Sequence, residues 1–241
     1  MKRTIAALLL IISCTFAQNN SGTNNNQGFH SRRGLYFSTS SGPFYTYANY
    51  LSEEISYDRV EKITSQFASL LSYGEIRLGA SIANWPSLYA VFGMGLGIGN
   101  YRDKIEFSLE EYSQRNFTEK NDIITRTLVG LGGEYNYPFQ DNDDFTNGLF
   151  FGTSAGFMLD LIYHTEHDVN EVYDNMTSAE FGGFFFRFEI GKDWWISQRW
   201  SLGVALNYTF CIYRESTSYS IHSDKESLTG HSIGLMFRIT R

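Results

Sequence analysis

The sequence predicts an all-β fold, an eight-stranded antiparallel up-and-down transmembrane β-barrel, and three observations carry that prediction. The first is the alternation within residues 184–213. Trp200, Leu202, Val204, Leu206, Tyr208, Phe210 and Ile212 share one face, while Ser201, Gly203, Ala205, Asn207, Thr209, Cys211 and Tyr213 share the other, because strand side chains alternate with period two. Before them Phe184, Phe186, Phe188 and Ile190 oppose Phe185, Arg187, Glu189 and Gly191, with residues 191–199 read as the connecting turn. The second is that nothing after residue 17 is apolar for long enough to be a membrane helix. A chain that spans a bilayer without such helices must do so as a closed barrel. The third is that long charged segments alternate with short turns, which gives the two ends of a barrel different character.

The chain opens with Lys2 and Arg3, an apolar core over residues 5–12 and small residues at Thr15 and Ala17. That is the pattern of a secretory signal peptide over residues 1–17. A lipoprotein signal ending at Cys14 is the alternative. Loss of Lys2 and Arg3, with no acid beside them, takes the formal charge from −7 to −9, which argues against a nucleic-acid partner. Cys14 leaves with the signal or carries lipid, so Cys211 has no partner for a disulfide. Residues 18–33 are rich in Asn, Ser and Gly without periodicity, the composition of a disordered leader. The barrel domain is then residues 34–241.

Strand one is expected over residues 34–47, with Pro43 interrupting it and neither face cleanly apolar. A charged loop over 48–66 leads to strand two at 67–82, with Leu70, Ile76, Leu78, Ala80 and Ile82 outward. After an Asn-Trp-Pro turn at 84–86, strand three covers 88–99, where Phe92, Met94, Leu96 and Ile98 alternate with Gly93, Gly95, Gly97 and Gly99. A dinucleotide loop needs its third glycine where Ile98 stands, and no helix pattern follows; a crowded lumen accounts for the glycines. A second charged loop, 100–121, precedes strand four at 123–137. The Asp- and Asn-rich turn 138–148 leads to strand five at 149–161. A third loop covers 162–179 and a fourth 214–227, followed by strand eight, where Ile233, Leu235, Phe237 and Ile239 alternate with Ser232, Gly234, Met236, Arg238 and Thr240. Trp85, Trp194, Trp195 and Trp200 all fall in or beside the short turns, where a membrane-interface aromatic belt would place them.

The inward positions collect Glu75, Glu134, Asp160 and Glu189 with Arg77, Arg126, Arg187 and Arg238. An eight-stranded barrel has room only for its own side chains or one small ligand, so these eight are expected to form a nearly charge-balanced ionic network rather than an open pore. His164 and His167 are the candidate metal ligands, with Glu166 or Asp168 beside them, but polarity alone accounts for histidines in such a loop. Ser220, His222 and Ser223 would serve a lipid hydrolase at the outer rim, and no elbow-like motif accompanies them. No catalytic residue and no cofactor is assigned.

The segment 191–206, GKDWWISQRWSLGVAL, resembles the penultimate periplasmic turn of small bacterial outer-membrane β-barrel proteins of the OmpA/OmpX-like kind, and residues 84–86 with the glycine-alternating strand fit the same pattern. The resemblance covers about sixteen residues in motif and the chain from residue 34 in architecture. It implies a Gram-negative outer-membrane location, contact with outer-membrane lipid and lipopolysaccharide, insertion by the barrel assembly machinery and a monomeric, porin-like cell-envelope protein. Such barrels end on an aromatic residue, whereas Arg241 stands here. The function so expected is non-enzymatic, a structural or surface-interaction role. The alternatives are an acyl hydrolase or transferase acting on outer-membrane lipid, and a narrow small-solute channel.

Overall fold

The computed structural model describes residues 34–56, 59–81, 86–107, 115–137, 148–163, 178–197, 200–215 and 225–241. These form eight strands: β1 (Gly34–Ser56), β2 (Arg59–Ser81), β3 (Ser87–Phe107), β4 (Arg115–Asn136), β5 (Leu149–Tyr163), β6 (Ser178–Trp195), β7 (Ser201–Glu215) and β8 (Lys225–Thr240). No helix occurs among the described residues. Each strand pairs antiparallel with its sequence neighbours, and β8 pairs with β1, so the sheet closes as β1-β2-β3-β4-β5-β6-β7-β8. Closure removes both sheet edges.

The register fixes the shape of the barrel. Following directly paired residues from Glu75 on β2 gives Gly93, Leu128, Met158, Gly183, Tyr213, Leu228 and Tyr50, and returns to β2 at Ser65. The circuit therefore comes back ten residues from its start. For eight strands that stagger corresponds to a tilt of about 40°, within the usual range for barrels.

Alternation decides what each strand shows to either side. Phe188 on β6 is 57 % exposed, whereas its chain neighbour Arg187 is 3 % exposed. Apolar side chains are exposed in the same way from Leu88 to Ile98 on β3, from Leu202 to Ile212 on β7 and from Ile233 to Ile239 on β8. The barrel is apolar outside and polar inside. The β3 glycines make room in two ways. A Cβ on Gly93 would meet the Tyr73 hydroxyl at 1.8 Å, whereas one on Gly97 would meet the Leu70 carbonyl oxygen at 2.0 Å.

Two expectations from sequence need correction. Residues 48–66 are not a long loop, since β1 and β2 stay paired out to Ser56 and Arg59. Likewise β3 and β4 continue into 100–121, paired out to Ile105 and Arg115 with a bulge at Gly99/Asn100. These extensions lie beyond the apolar belt, where neither face must be apolar, so they lose the alternation that marks a strand. The seam between β1 and β8 is the one junction that no turn connects. Its pairing runs from Ser38 to Ser41 and resumes from Phe44 to Glu53, interrupted at Gly42 and Pro43. Proline has no N–H to contribute to a ladder, and Pro43 still faces Ser72 on β2.

Candidate functional site

The lumen is filled by two ionic clusters that the strand register places at different heights. The cluster nearer the short turns is a chain of alternating charge. Arg238 Nε and Nη2 donate to the two Asp193 oxygens at 2.8 and 2.7 Å, and Nη1 and Nη2 donate to Glu134 at 2.6 and 2.9 Å. Nη1 also reaches Glu189 Oε1 at 3.2 Å, and the guanidinium stacks 3.4 Å above the Phe150 ring centre. Arg77 donates to the same Glu189 oxygen at 2.9 Å and to Glu75 Oε1 at 2.6 Å. Glu75 then pairs with Arg187 Nη1, and Arg187 Nε donates to the Thr209 hydroxyl at 3.1 Å. Hydroxyls complete the carboxylate shells: Tyr36 donates to Glu134, and Ser40 and Tyr73 to Glu75, each at 3.2 Å. Buried charges are tolerable only when paired and hydrogen-bonded in this way.

The second cluster, nearer the long hairpins, is self-contained. Arg126 grips Asp160 with Nε and Nη2, both at 2.8 Å, a two-pronged geometry that guanidinium and carboxylate favour. Its Nη1 donates to the Ser232 and Thr46 hydroxyls at 2.8 and 3.2 Å, and Tyr213 donates to Asp160 Oδ2 at 2.7 Å. Tyr213→Phe is therefore expected to cost about 1–2 kcal/mol, since Asp160 keeps both Arg126 contacts. Equilibrium unfolding in detergent checks this, and a loss above about 3 kcal/mol would mean that the Arg126–Asp160 pair itself depends on the hydroxyl, which also accepts from Arg126 Nη2 at 3.3 Å.

Between the clusters lies an apolar layer. Phe44, Phe185 and Tyr73 surround the Arg187 guanidinium, at 5.7, 5.7 and 5.3 Å from its carbon to the ring centres. Leu71, Leu128, Met158 and Cys211 are buried in the same zone. Ile124, Ile162, Phe67 and Leu228, also buried, close the lumen above the second cluster. Cys211 Sγ lies 3.9 Å from Met158 Sδ, inside this layer.

All eight lumenal residues named from sequence, Glu75, Arg77, Arg126, Glu134, Asp160, Arg187, Glu189 and Arg238, are buried, in two groups rather than one network. Asp193 was missed. It stands in β6, not in a turn, and with Asp122 on β4, also buried and also missed, it brings the buried carboxylates among the described residues to six beside the four arginines. Its inward parity with Arg187 and Glu189 was the available signal; the glycine and tryptophans around it hid the strand. Tyr36, Tyr73 and Tyr213 complete the clusters with their hydroxyls; the sequence placed Tyr73 and Tyr213 on the inward face without assigning them to the ionic clusters, and Tyr36 was missed. Trp194 is exposed at the end of β6, Trp195 is half-buried beside it and Trp200 is half-buried just before β7. Trp85, His164, His167, Ser220, His222 and Ser223 lie outside the described residues, as do the proposed signal and leader. No group of His, Cys, Asp and Glu suited to a metal ion occurs among the described residues.

No protein-family model matches the chain, and no curated protein matches it either. Among solved structures it is similar to the outer membrane protein OprG from Pseudomonas aeruginosa, with TM-score 0.44 and 10 % identity over 89 % of this chain and 99 % of that one. It is similar to the outer membrane protease OmpT from Escherichia coli, with TM-score 0.41 and 7 % identity over 90 % and 98 % of the two chains. A third likeness is to the outer membrane protein AlkL, with TM-score 0.41 and 11 % identity over 93 % and 97 %. Overlaps this loose carry no inference about activity, and the barrel assignment rests on the closed strand order of the chain itself.

Proposed function

We propose that the chain is an integral outer-membrane β-barrel protein without enzymatic activity, whose lumen is sealed by its own side chains and whose long hairpins serve contacts at the cell surface. The observation that carries this reading is the inside-out distribution of polarity, with Leu, Ile and Phe exposed on the wall and charged residues buried in the lumen. Water penalises such an exterior, since contiguous exposed apolar surface of this extent is rare on soluble proteins, whereas lipid demands it. The outward apolar run from Leu88 to Ile98 on β3 spans roughly 25 Å at the tilt of the barrel, the height of an outer-membrane apolar band. A soluble ligand-carrying barrel would have the reverse polarity.

The test is gel mobility of the membrane fraction with and without boiling. A heat-dependent shift in detergent-extracted outer-membrane material is expected, and full solubility without detergent would refute the reading. The apolar layers above and between the two ionic clusters also predict that barrels in planar bilayers show no current steps above background. Regular ion-conducting steps would replace the sealed-barrel reading with that of a narrow channel.

A further inference from the structure

Asn207 on β7 brings an amide into the lumen that the ionic clusters do not use. The residue is 0 % exposed, and neither its amide nitrogen nor its amide oxygen has a hydrogen-bond partner among the described residues. An amide carries two N–H donors and a carbonyl acceptor. Buried and unmatched, such groups lose their hydration without return. Ala205 and Cys211 fill inward positions of the same strand without that cost.

The register supplies the surroundings. Directly opposite Asn207 stand Glu189 on β6 and Gly234 on β8. Arg77 Nη1 and Arg238 Nη1 both donate to Glu189 Oε1, at 2.9 and 3.2 Å, whereas Oε2 accepts from Arg77 Nη2 alone. That second oxygen keeps a lone pair for another donor. Gly234 is covered by the Phe44 ring, whose edge a Cβ there would meet at 2.5 Å, so an aromatic ring closes that side. The next inward residue of β7 toward the long hairpins is Thr209. Its oxygen accepts from Arg187 Nε at 3.1 Å, which leaves the hydroxyl proton to be given elsewhere. An unmatched amide, a hydroxyl proton and a carboxylate oxygen with capacity to spare thus occupy adjacent inward positions.

We propose that Asn207 binds an enclosed water molecule in the lumen, which accepts from the amide Nδ2 and from the Thr209 hydroxyl and donates to Glu189 Oε2. Buried waters take about three hydrogen bonds, each to a polar group that is otherwise unmatched. The amide N–H needs an acceptor, which water supplies and a metal cation does not. Arg77, Arg187 and Arg238 also oppose a cation here, although Glu75, Glu134, Glu189 and Asp193 outnumber them by one. The water has a structural consequence. Without it the contacts run as an open chain from Glu189 through Arg77, Glu75 and Arg187 to Thr209. With it Thr209 returns to Glu189, and the chain becomes a ring.

The inference rests on the sealed lumen, which the planar-bilayer recordings decide separately. The experiment is NMR of the full barrel in deuterated detergent micelles with methyl-labelled threonine, reading nuclear Overhauser transfer from water to the Thr209 methyl. Transfer with the sign of long-lived bound water is expected in wild type and should be lost in Asn207→Leu. That variant keeps the Thr209 hydroxyl and so controls for exchange through it. Leucine also separates the readings by the direction of the urea midpoint. With water in place, Asn207→Leu strands the Thr209 proton and the midpoint falls by about 0.5 M; a bare amide would be relieved by leucine and the midpoint would rise. Replacing sodium and potassium by choline should leave the wild-type midpoint unchanged. The proposal is overturned if wild type shows no transfer at Thr209, a result that needs no variant to fold. It is overturned equally if Asn207→Leu keeps the transfer or raises the midpoint, or if sodium or potassium stabilises the barrel where choline does not, which would place a metal cation at the site.

Discussion

Arg238→Met is expected to lower the unfolding free energy by about 3–5 kcal/mol, because breaking a buried ion pair from one side leaves the opposite charge uncompensated. Arg238 meets both Asp193 oxygens and both Glu134 oxygens, and at 1 % side-chain exposure water cannot take over. Methionine fills much of the volume and keeps contact with Phe150 but offers no donor. After the change Glu134 keeps the Tyr36 hydroxyl and a longer Arg77 contact at 3.6 Å, while Asp193 keeps the Ser201 hydroxyl at 3.4 Å. Adding Glu134→Gln and Asp193→Asn removes the stranded charges and should recover about half of the loss. Urea titration in detergent, followed by tryptophan fluorescence, reads both. A loss under about 1 kcal/mol for the single variant would mean that the carboxylates find other partners, and the alternating chain would lose its place as the structural centre.

Gly97→Ala carries the second large effect, about 3 kcal/mol. A methyl at this position would lie 2.0 Å from the Leu70 carbonyl oxygen and 2.8 Å from the Leu71 Cα. Those are backbone atoms of the β2 ladder, so relief requires moving a strand that is paired on both sides. Gly95→Ala is the matched control, because its nearest contact is the edge of the Tyr73 ring at 3.2 Å, which a small ring movement relieves. Refolding yield and unfolding midpoint in detergent should separate the two. Equal behaviour would show that the β2–β3 spacing yields easily and that these glycines answer only to the aromatic ring.

How much of this was legible in the chain depended on where each residue stands relative to the apolar belt. On β3, β6 and β7 the belt imposes greasy against polar at every second position, and Phe92, Phe186 and Leu206 read directly as outward. On β1 the faces do not separate in the sequence, because Tyr36 and Phe44 point inward to serve Glu134 and to cover Arg187, while Leu35 and Tyr45 point outward. Past the belt the signal vanishes for a different reason. The register sets Glu53 between Lys62 on β2 and Lys225 on β8, a cross-strand arrangement that single-strand periodicity cannot display. The lumenal residues were legible one by one through parity, but their partition into two clusters was not. It depends on the ten-residue stagger, which lifts Asp160 and Tyr213 well above Glu75 although no single strand shows it.

The unconnected seam has a consequence for how the first and last strands find each other. Every other pair inherits its alignment from a hairpin, but β1 and β8 meet as separate segments, and a slip of two residues would keep every side chain on its proper face. Two hydroxyl contacts bridge the seam from inside, Ser38 with Thr240 at 3.0 Å and Thr46 with Ser232 at 2.9 Å, one on each side of the break at Gly42 and Pro43. A two-residue slip in one direction would face Ser38 with Arg238 and Thr46 with Gly230, and in the other it would face Ser40 with Thr240 and Thr46 with Gly234, forfeiting both contacts either way. Like two buttons on either side of a torn stitch, the pairs admit one alignment, so the last step of closure is specified by side chains where no turn can specify it.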